Sequence, residues 1–301
     1  MTATSVAPVP MRASWEPRHL AFLVLIQCLW GFNWVALKEG LSEFPPLLMM
    51  AIRFMLTFAL LAPFLRWPRG SIWTMLAGAV VTGPIHFALM FVGMAHAKDI
   101  APLAVATNLS VPFATVLAAI FLKDRIGIWR ASALALSFGG VALVGFDPRV
   151  LEYSLALGLV ISGALAWSIG AIILRAVKTA GAFDMQAWVA MIAWPPLLAA
   201  SVMFEGDPLT VITHATWRGW LAVAYVVLAA TVIAHAGFYF LLRRYPIPMM
   251  APYLLIAPML GIFAGVLWFG DVLTWRMLVG GMITFTGVLI ITIREGARQT
   301  S

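Results

Sequence analysis

At 301 residues, 63% hydrophobic and only 10% charged, the chain has too little polar surface to cover a water-soluble fold, whereas a multi-span membrane protein needs apolar residues inside and outside alike. The net charge of +7 is scattered in ones and twos between apolar runs, with no basic patch interleaved with aromatics, which excludes nucleic-acid binding and leaves a topology signal. The single cysteine, Cys28, excludes an internal disulfide and any CxxC metal or redox site.

Residues 1–15 are polar, and no cleavage-type signal precedes the first apolar run, so the chain is expected to insert by its own spans. A span needs about 20 apolar residues. Ten such runs are predicted, at 19–37, 46–65, 72–95, 101–122, 127–146, 153–174, 185–204, 217–242, 248–269 and 275–293. Short connections carry nearly all the charge, and every carboxylate is expected in a loop or tail. With the N-terminus inside, 13 Lys and Arg fall in cytoplasmic segments and 5 in outer ones, with Arg53 alone inside a span. The positive-inside rule then places both termini in the cytoplasm.

One stretch occurs twice. Pro102, Pro112 and Trp129 recur as Pro248, Pro258 and Trp275, each 146 positions on. Each copy reads as a helix that opens with a proline and carries another near its middle. An interior proline removes a backbone hydrogen bond and clashes with the carbonyl four residues back. In lipid that defect is tolerated only where protein or a water-filled cavity satisfies the freed groups. Paired interrupted helices in two halves point to a transporter's central binding site. Five spans per half also insert the second half upside down. The basic cluster accordingly follows the first copy, at Lys123 and Arg125, and precedes the second, at Arg243-Arg244. The expected fold is an all-α integral membrane protein, two inverted five-helix repeats around a central cavity. Its parts are a tail over 1–18, a first repeat over 19–146, an outer linker over 147–152, a second repeat over 153–293 and a tail over 294–301.

The run from Trp30-Gly-Phe-Asn-Trp-Val-Ala-Leu-Lys38 through Phe44-Pro-Pro-Leu-Leu to Arg53-Phe54 resembles the opening of the EamA family of drug/metabolite transporters. Each half also resembles that family's second signature. The first runs from Phe91 through Ala106, Pro112, Lys123-Asp124-Arg125 and Trp129 to Gly139-Gly140; the second runs from Tyr239 through Ala251-Pro252, Pro258, Gly270-Asp271 and Trp275 to Gly287. The usual Gly-Glu-Arg after the fourth span reads Lys123-Asp124-Arg125 here, which keeps the charge order. The resemblance implies a ten-helix exporter in the bacterial inner membrane, acting on aromatic or other neutral amino acids or on cysteine-pathway metabolites.

Candidate substrate-binding residues follow from polar and aromatic groups inside spans. His86 and His235 are the only intramembrane groups that titrate near neutral pH. Each reads either as a path residue, and in a proton-linked carrier the proton carrier, or as a hydrogen-bonded packing residue. Asn108 stands at the position whose carbonyl Pro112 frees, where its amide suits a carboxylate or an amine. An interhelical bond is the alternative. Tyr253 lies near Pro258, and Tyr239 shares a face with His235 by its i, i+4 spacing. A tyrosine offers an apolar wall with one hydroxyl, or an interface anchor. Gln27, Trp30 and Trp34 form one stripe of span one, with Asn33 beside it; Trp167 and Ser168 hold the matching place in span six. Trp30, Asn33 and Trp167 are read as site or gate residues. Arg53, about 10 Å in from Pro46, reads preferentially as a pin between span two and its neighbours rather than as an anchor for a substrate carboxylate. Gly139-Gly140 and Gly280-Gly281 read as helix-packing residues, and Trp67, Trp73, Trp129, Trp217 and Trp275 as an aromatic belt.

These features point to a secondary transporter of amino acids and related metabolites, working by alternating access at a midplane site around Pro112 and Pro258. Another metabolite or drug-like compound, or a channel-like facilitator, is the alternative. An enzyme would need an HExxH, a mid-span Asp pair or a Ser with a nearby His, and an ATP-driven pump a GxxxxGK[ST] loop; the sequence holds none of these. No cofactor or metal is expected. The partners are a small-molecule substrate and the bilayer, and the chain is expected to act as a monomer.

Overall fold

Lipid offers no partner to a backbone N–H or C=O, so an apolar run of span length closes its hydrogen bonds internally as a helix. A computed structural model describes residues 14–121, 126–177, 180–242, 244–245 and 247–300. Among them ten helices are long and apolar enough to cross a membrane: α1 (Pro17–Glu43), α2 (Pro46–Phe64), α3 (Ile72–His96), α4 (Ala101–Phe121), α5 (Ile128–Gly145), α6 (Ser154–Arg175), α7 (Ala182–Phe204), α8 (Trp217–Phe238), α9 (Pro252–Phe269) and α10 (Trp275–Arg294). The Lys123-Asp124-Arg125 cluster, Lys178, Arg243 and residues 1–13 lie outside the described residues.

Two helices are longer than the sequence implies. No proline follows residue 37 until Pro45-Pro46, and α1 runs through Gly40 to Glu43. α7 starts at Ala182. Glu39, Glu43 and Asp184 therefore ride on helix ends, which corrects the expectation that every carboxylate lies in a loop or tail.

The proline breaks are present. α4 divides into Ala101–Thr107 and Ser110–Phe121, and the second copy into Ile247–Leu254 and Ile256–Phe269. The interruptions fall at Asn108-Leu109 and at Leu255, just ahead of Pro112 and Pro258. At the first break the backbone tightens into three-residue turns, with bonds from Asn108 N to Val105 O (3.1 Å), Leu109 N to Ala106 O (3.0 Å) and Val111 N to Asn108 O (3.2 Å). Of a second pair of irregularities, only one has a trace in the sequence. The third helix of each half contains a π-helical segment, Val81–Ile85 in α3 and Tyr225–Ile233 in α8. Pro84 accounts for the first; the second contains neither proline nor glycine.

The packing repeats across the halves. α2 pairs with α7 and α5 with α10; α3 packs on α6 as α8 packs on α1, and α4 on α6 as α9 on α1. Moving both helices of each of these pairs five places along the chain thus returns one of the same pairs. At the α5–α10 seam a Cβ on Gly140 would lie 2.4 Å from Gly280 O, and one on Gly280 2.5 Å from Gly140 O. Gly139 faces open space and Gly281 only touches Val105, so one glycine of each pair sets the approach. Trp67, Trp73, Trp129, Trp217 and Trp275 are all exposed near helix ends.

The core surrounds α2, where every residue from Leu47 to Phe54 is buried. Past Phe54 the helix has an exposed face, at Met55, Leu56 and Leu60. At the face opposite the chain termini, the halves are tied by carboxylates on helix N-termini, where they meet unpaired N–H groups. Asp271 accepts from Ile100 N (2.7 Å) and Ala101 N (3.0 Å) at the start of α4, with Lys38 at 3.8 Å. Glu205 does the same for Leu47 N (2.8 Å) and Leu48 N (3.0 Å) at the start of α2. Thr274 donates to Asp147, and Arg276 to Phe146 O (2.8 Å). Tyr153 donates to Asp99 (3.1 Å), and burial and that carboxylate push its phenol well above the ordinary range.

Candidate functional site

Each π segment leads directly into a histidine. His86 follows the α3 segment and reaches across to α6, its Nδ1–H donating to Gly163 O at 2.8 Å. Its ring lies 5.1 Å from Trp167. His235 follows the α8 segment, and its Nδ1–H donates to Ala230 O at 2.9 Å, five residues back in its own helix. Its ring lies 5.3 Å from Trp30, whose Nε1–H donates to the same Ala230 carbonyl at 3.0 Å. Tyr225, in the same segment, donates to Leu29 O (2.9 Å). The site therefore contains two histidine–tryptophan pairs, each joining the third helix of one half to the first helix of the other.

Arg53 connects the two. It is 8% exposed, and its guanidinium lies over the Phe87 ring (4.9 Å) beside His86. On the other side it donates to Thr231 Oγ1 (3.0 Å), inside the α8 π segment. The sequence reading favoured Arg53 as a pin between span two and its neighbours; its contacts with Phe87 and Thr231 put it between α3 and α8.

The broken helices lean on the same first helices. Ser168, next to Trp167, donates to Ser110 O (2.7 Å) just past the α4 break. Gly31, next to Trp30, packs on Ala257 and Leu260 just past the α9 break. Asn108 lies half-buried at the α4 break with its amide donating to Ala104 O (2.7 Å), so its amino group is engaged in local capping. Asn33 Oδ1 and both polar atoms of the Gln27 amide are buried without a partner, as are Arg53 Nε and Thr57 Oγ1. Pro112 is buried and Pro258 half-buried.

Tyr253 stands apart from this group. It packs edge-on against Trp15 (5.7 Å) in a cluster with Leu23, Ile26 and Tyr245 at the terminal face. Tyr239 lies on the helix that continues α8, and its side chain is outside the described residues. Sequence reasoning ranked the carboxylate-anchor reading of Arg53 second and passed over Thr231. The only available signal was Arg53 itself, a lone charge inside a span. Among the described residues, no group of three or more His, Cys, Asp and Glu side chains is placed to hold a metal ion.

The profile of the EamA-like transporter family matches residues 19–146 and again residues 154–293. The chain belongs to this family. Among its relatives, a protein of Salmonella typhimurium called "Probable amino-acid metabolite efflux pump" is 25% identical over 291 residues, covering 94% of this chain and 96% of that one. A protein of the same name from Escherichia coli K12 is 24% identical over 279 residues, covering 90% and 93%. A solved crystal structure superposes with a TM-score of 0.62 at 16% identity, covering 95% of this EamA-family chain and all of the other, and so shares its fold. Family and relatives are transporters, and ten apolar helices make this chain a multi-pass membrane protein.

Proposed function

We propose that this EamA-family protein is a secondary transporter that exports amino acids and related small metabolites by alternating access. The observation that carries the reading is the pair of matched helix breaks, at Asn108-Leu109 and Leu255, each set against the first helix of a half. Interrupted helices in corresponding positions expose backbone dipoles where a substrate binds near the midplane. Five helices in each matched segment support an inverted relation between the halves. Trp30, Asn33, His86, Asn108, Trp167 and His235, with Pro112 and Pro258 at the breaks, form the binding region; Tyr253 stands at its terminal mouth. The tied network around Asp271 closes the opposite face in this conformation, and that supports a gate which opens in the other. The relatives' names support amino-acid metabolites as cargo. The excess of Lys and Arg on the terminal side supports insertion in a bacterial inner membrane with both termini cytoplasmic. Since one chain supplies both halves of the region, it acts as a monomer.

Counterflow in proteoliposomes preloaded with unlabelled amino acids tests this. Entry of a labelled amino acid against its gradient, dependent on the internal pool, is the expected result. No accumulation with any amino acid or cysteine-pathway metabolite would sink the cargo assignment.

A further inference from the structure

We infer that Arg53 is the anchor for an anionic group of the cargo, a carboxylate, and that Thr231 joins that anchor to the π segment of α8. The inference rests on the transporter reading and deepens it by naming the substrate class.

Arg53 is more than nine-tenths buried. A buried guanidinium is strongly disfavoured unless a carboxylate or several acceptors surround it. Here no carboxylate among the described residues lies within ion-pair distance of it. Its contacts are Thr231 Oγ1, the Met50 sulfur at 4.0 Å and the faces of Phe54 and Phe87. Nε has no acceptor. One turn further along α2, on the same face by its i, i+4 spacing, Thr57 is fully buried with a hydroxyl that also lacks a partner. A packing role calls for acceptors around the head group, and this site supplies one hydroxyl. An unpaired guanidinium edge beside an unpaired hydroxyl matches a planar carboxylate, which accepts from both, bidentately from the guanidinium.

The position fits a cargo site. Arg53 sits between the two histidine–tryptophan pairs, whose rings supply apolar walls for the rest of the molecule. α7, the counterpart of α2, carries no basic residue from Ala182 to Phe204, so this nearly repeated centre holds one cation. Thr231 Oγ1 accepts from Arg53 and donates to Val226 O (2.7 Å), five residues back. A carboxylate that draws the guanidinium towards itself pulls on a hydroxyl built into the irregular turn, which links cargo binding to the shape of α8.

The test measures the unfolding temperature of the full-length protein in detergent with proteinogenic amino acids, their N-acetyl derivatives, the methyl esters of both, and inorganic phosphate. Stabilisation of the wild type by free carboxylates and not by their esters is expected. Arg53→Met should abolish the response, and Arg53→Lys should weaken affinity about 10- to 100-fold. Without ligand, Arg53→Met should unfold no lower than wild type, since an apolar side chain of similar length replaces an uncompensated charge. The assignment falls if esters and acids act alike, if phosphate matches the carboxylates, if no carboxylate stabilises the wild type, or if Arg53→Met responds as the wild type does. Should Arg53→Met fail to fold, an Arg53→Lys protein with wild-type affinity overturns it equally. Counterflow separates the two readings. Arg53-dependent carboxylate binding without counterflow ends the transporter reading and leaves the anchor; counterflow with the same KM in Arg53→Met does the reverse.

Discussion

His86 meets Trp167 across the α3–α6 seam and His235 meets Trp30 across the α8–α1 seam, at nearly equal ring distances. The bonds that hold them are arranged differently. On the first seam the histidine itself crosses between helices, to Gly163 O; on the second it bonds back within α8, and the tryptophan makes the crossing to Ala230 O. The seams differ in hardness as well. A Cβ on Gly93 would meet Ala156 O at 2.8 Å, and one on Gly170 would meet Thr82 N at 2.9 Å, so backbone lies against backbone between α3 and α6. The equivalent close approach between α8 and α1, at Gly237, is to the ring edge of Phe22 and the end of Ile26. Similar rings in similar places thus sit on a hard seam between α3 and α6 and on a yielding one between α8 and α1.

The largest effect expected of this difference comes from the glycines. Gly170→Val should destabilise by about 3 kcal/mol or prevent folding, because neither backbone can retreat. Gly237→Ala should cost less than about 1 kcal/mol, because side-chain ends can turn away. Thermal unfolding in detergent reads both, and equal losses would erase the distinction between the seams. Next come the histidines. His86→Ala removes an interhelical bond, about 1 kcal/mol in membranes, besides the packing that both alanine variants lose. His235→Ala leaves the Trp30 crossing intact, so it should unfold at a higher temperature than His86→Ala; the reverse order would mean the assigned bonds do not govern the seams. The tryptophans should show the opposite ranking. Trp30→Phe loses the crossing bond, again about 1 kcal/mol, whereas Trp167→Phe, at an exposed ring, should lose less. Smallest of all, Glu152→Gln removes an exposed ion pair with Lys98 outside both seams. It should leave the unfolding temperature unchanged within error, as surface pairs generally do, and a measurable drop would show that the outer face contributes more than the seams suggest.

Much of this architecture was legible in the chain. Ten apolar runs became ten spans, because hydropathy measures what lipid demands. The breaks near Pro112 and Pro258 were legible because proline cannot donate the hydrogen bond that a helix needs. The π segment of α8 was not: Tyr225–Ile233 is an ordinary apolar run, and its irregular turn follows from packing and from the bonds to Leu29 and Trp30. Helix rotation was equally hidden. Tyr253 and Asn108 both flank breaks in sequence, yet one turns to Trp15 and the other caps its own helix. Arg53 was visible as a lone intramembrane charge, but span number alone did not say which helices it faces. Its contacts with Phe87 and Thr231 bring it between α3 and α8.

The single, unneutralised guanidinium has an electrical consequence. If the halves exchange exposure around it, an empty carrier moves a positive charge through part of the membrane field, worth about 2.3 kcal/mol per elementary charge for each 100 mV crossed. A carrier holding a cargo whose only charge is a carboxylate moves a neutral pair through the same distance, whereas a zwitterionic amino acid brings its ammonium along and leaves the moving charge at one. Membrane voltage then passes over the loaded step for an anionic cargo and acts on both steps for a zwitterionic one, so the voltage dependence of turnover reads the net charge of what is carried.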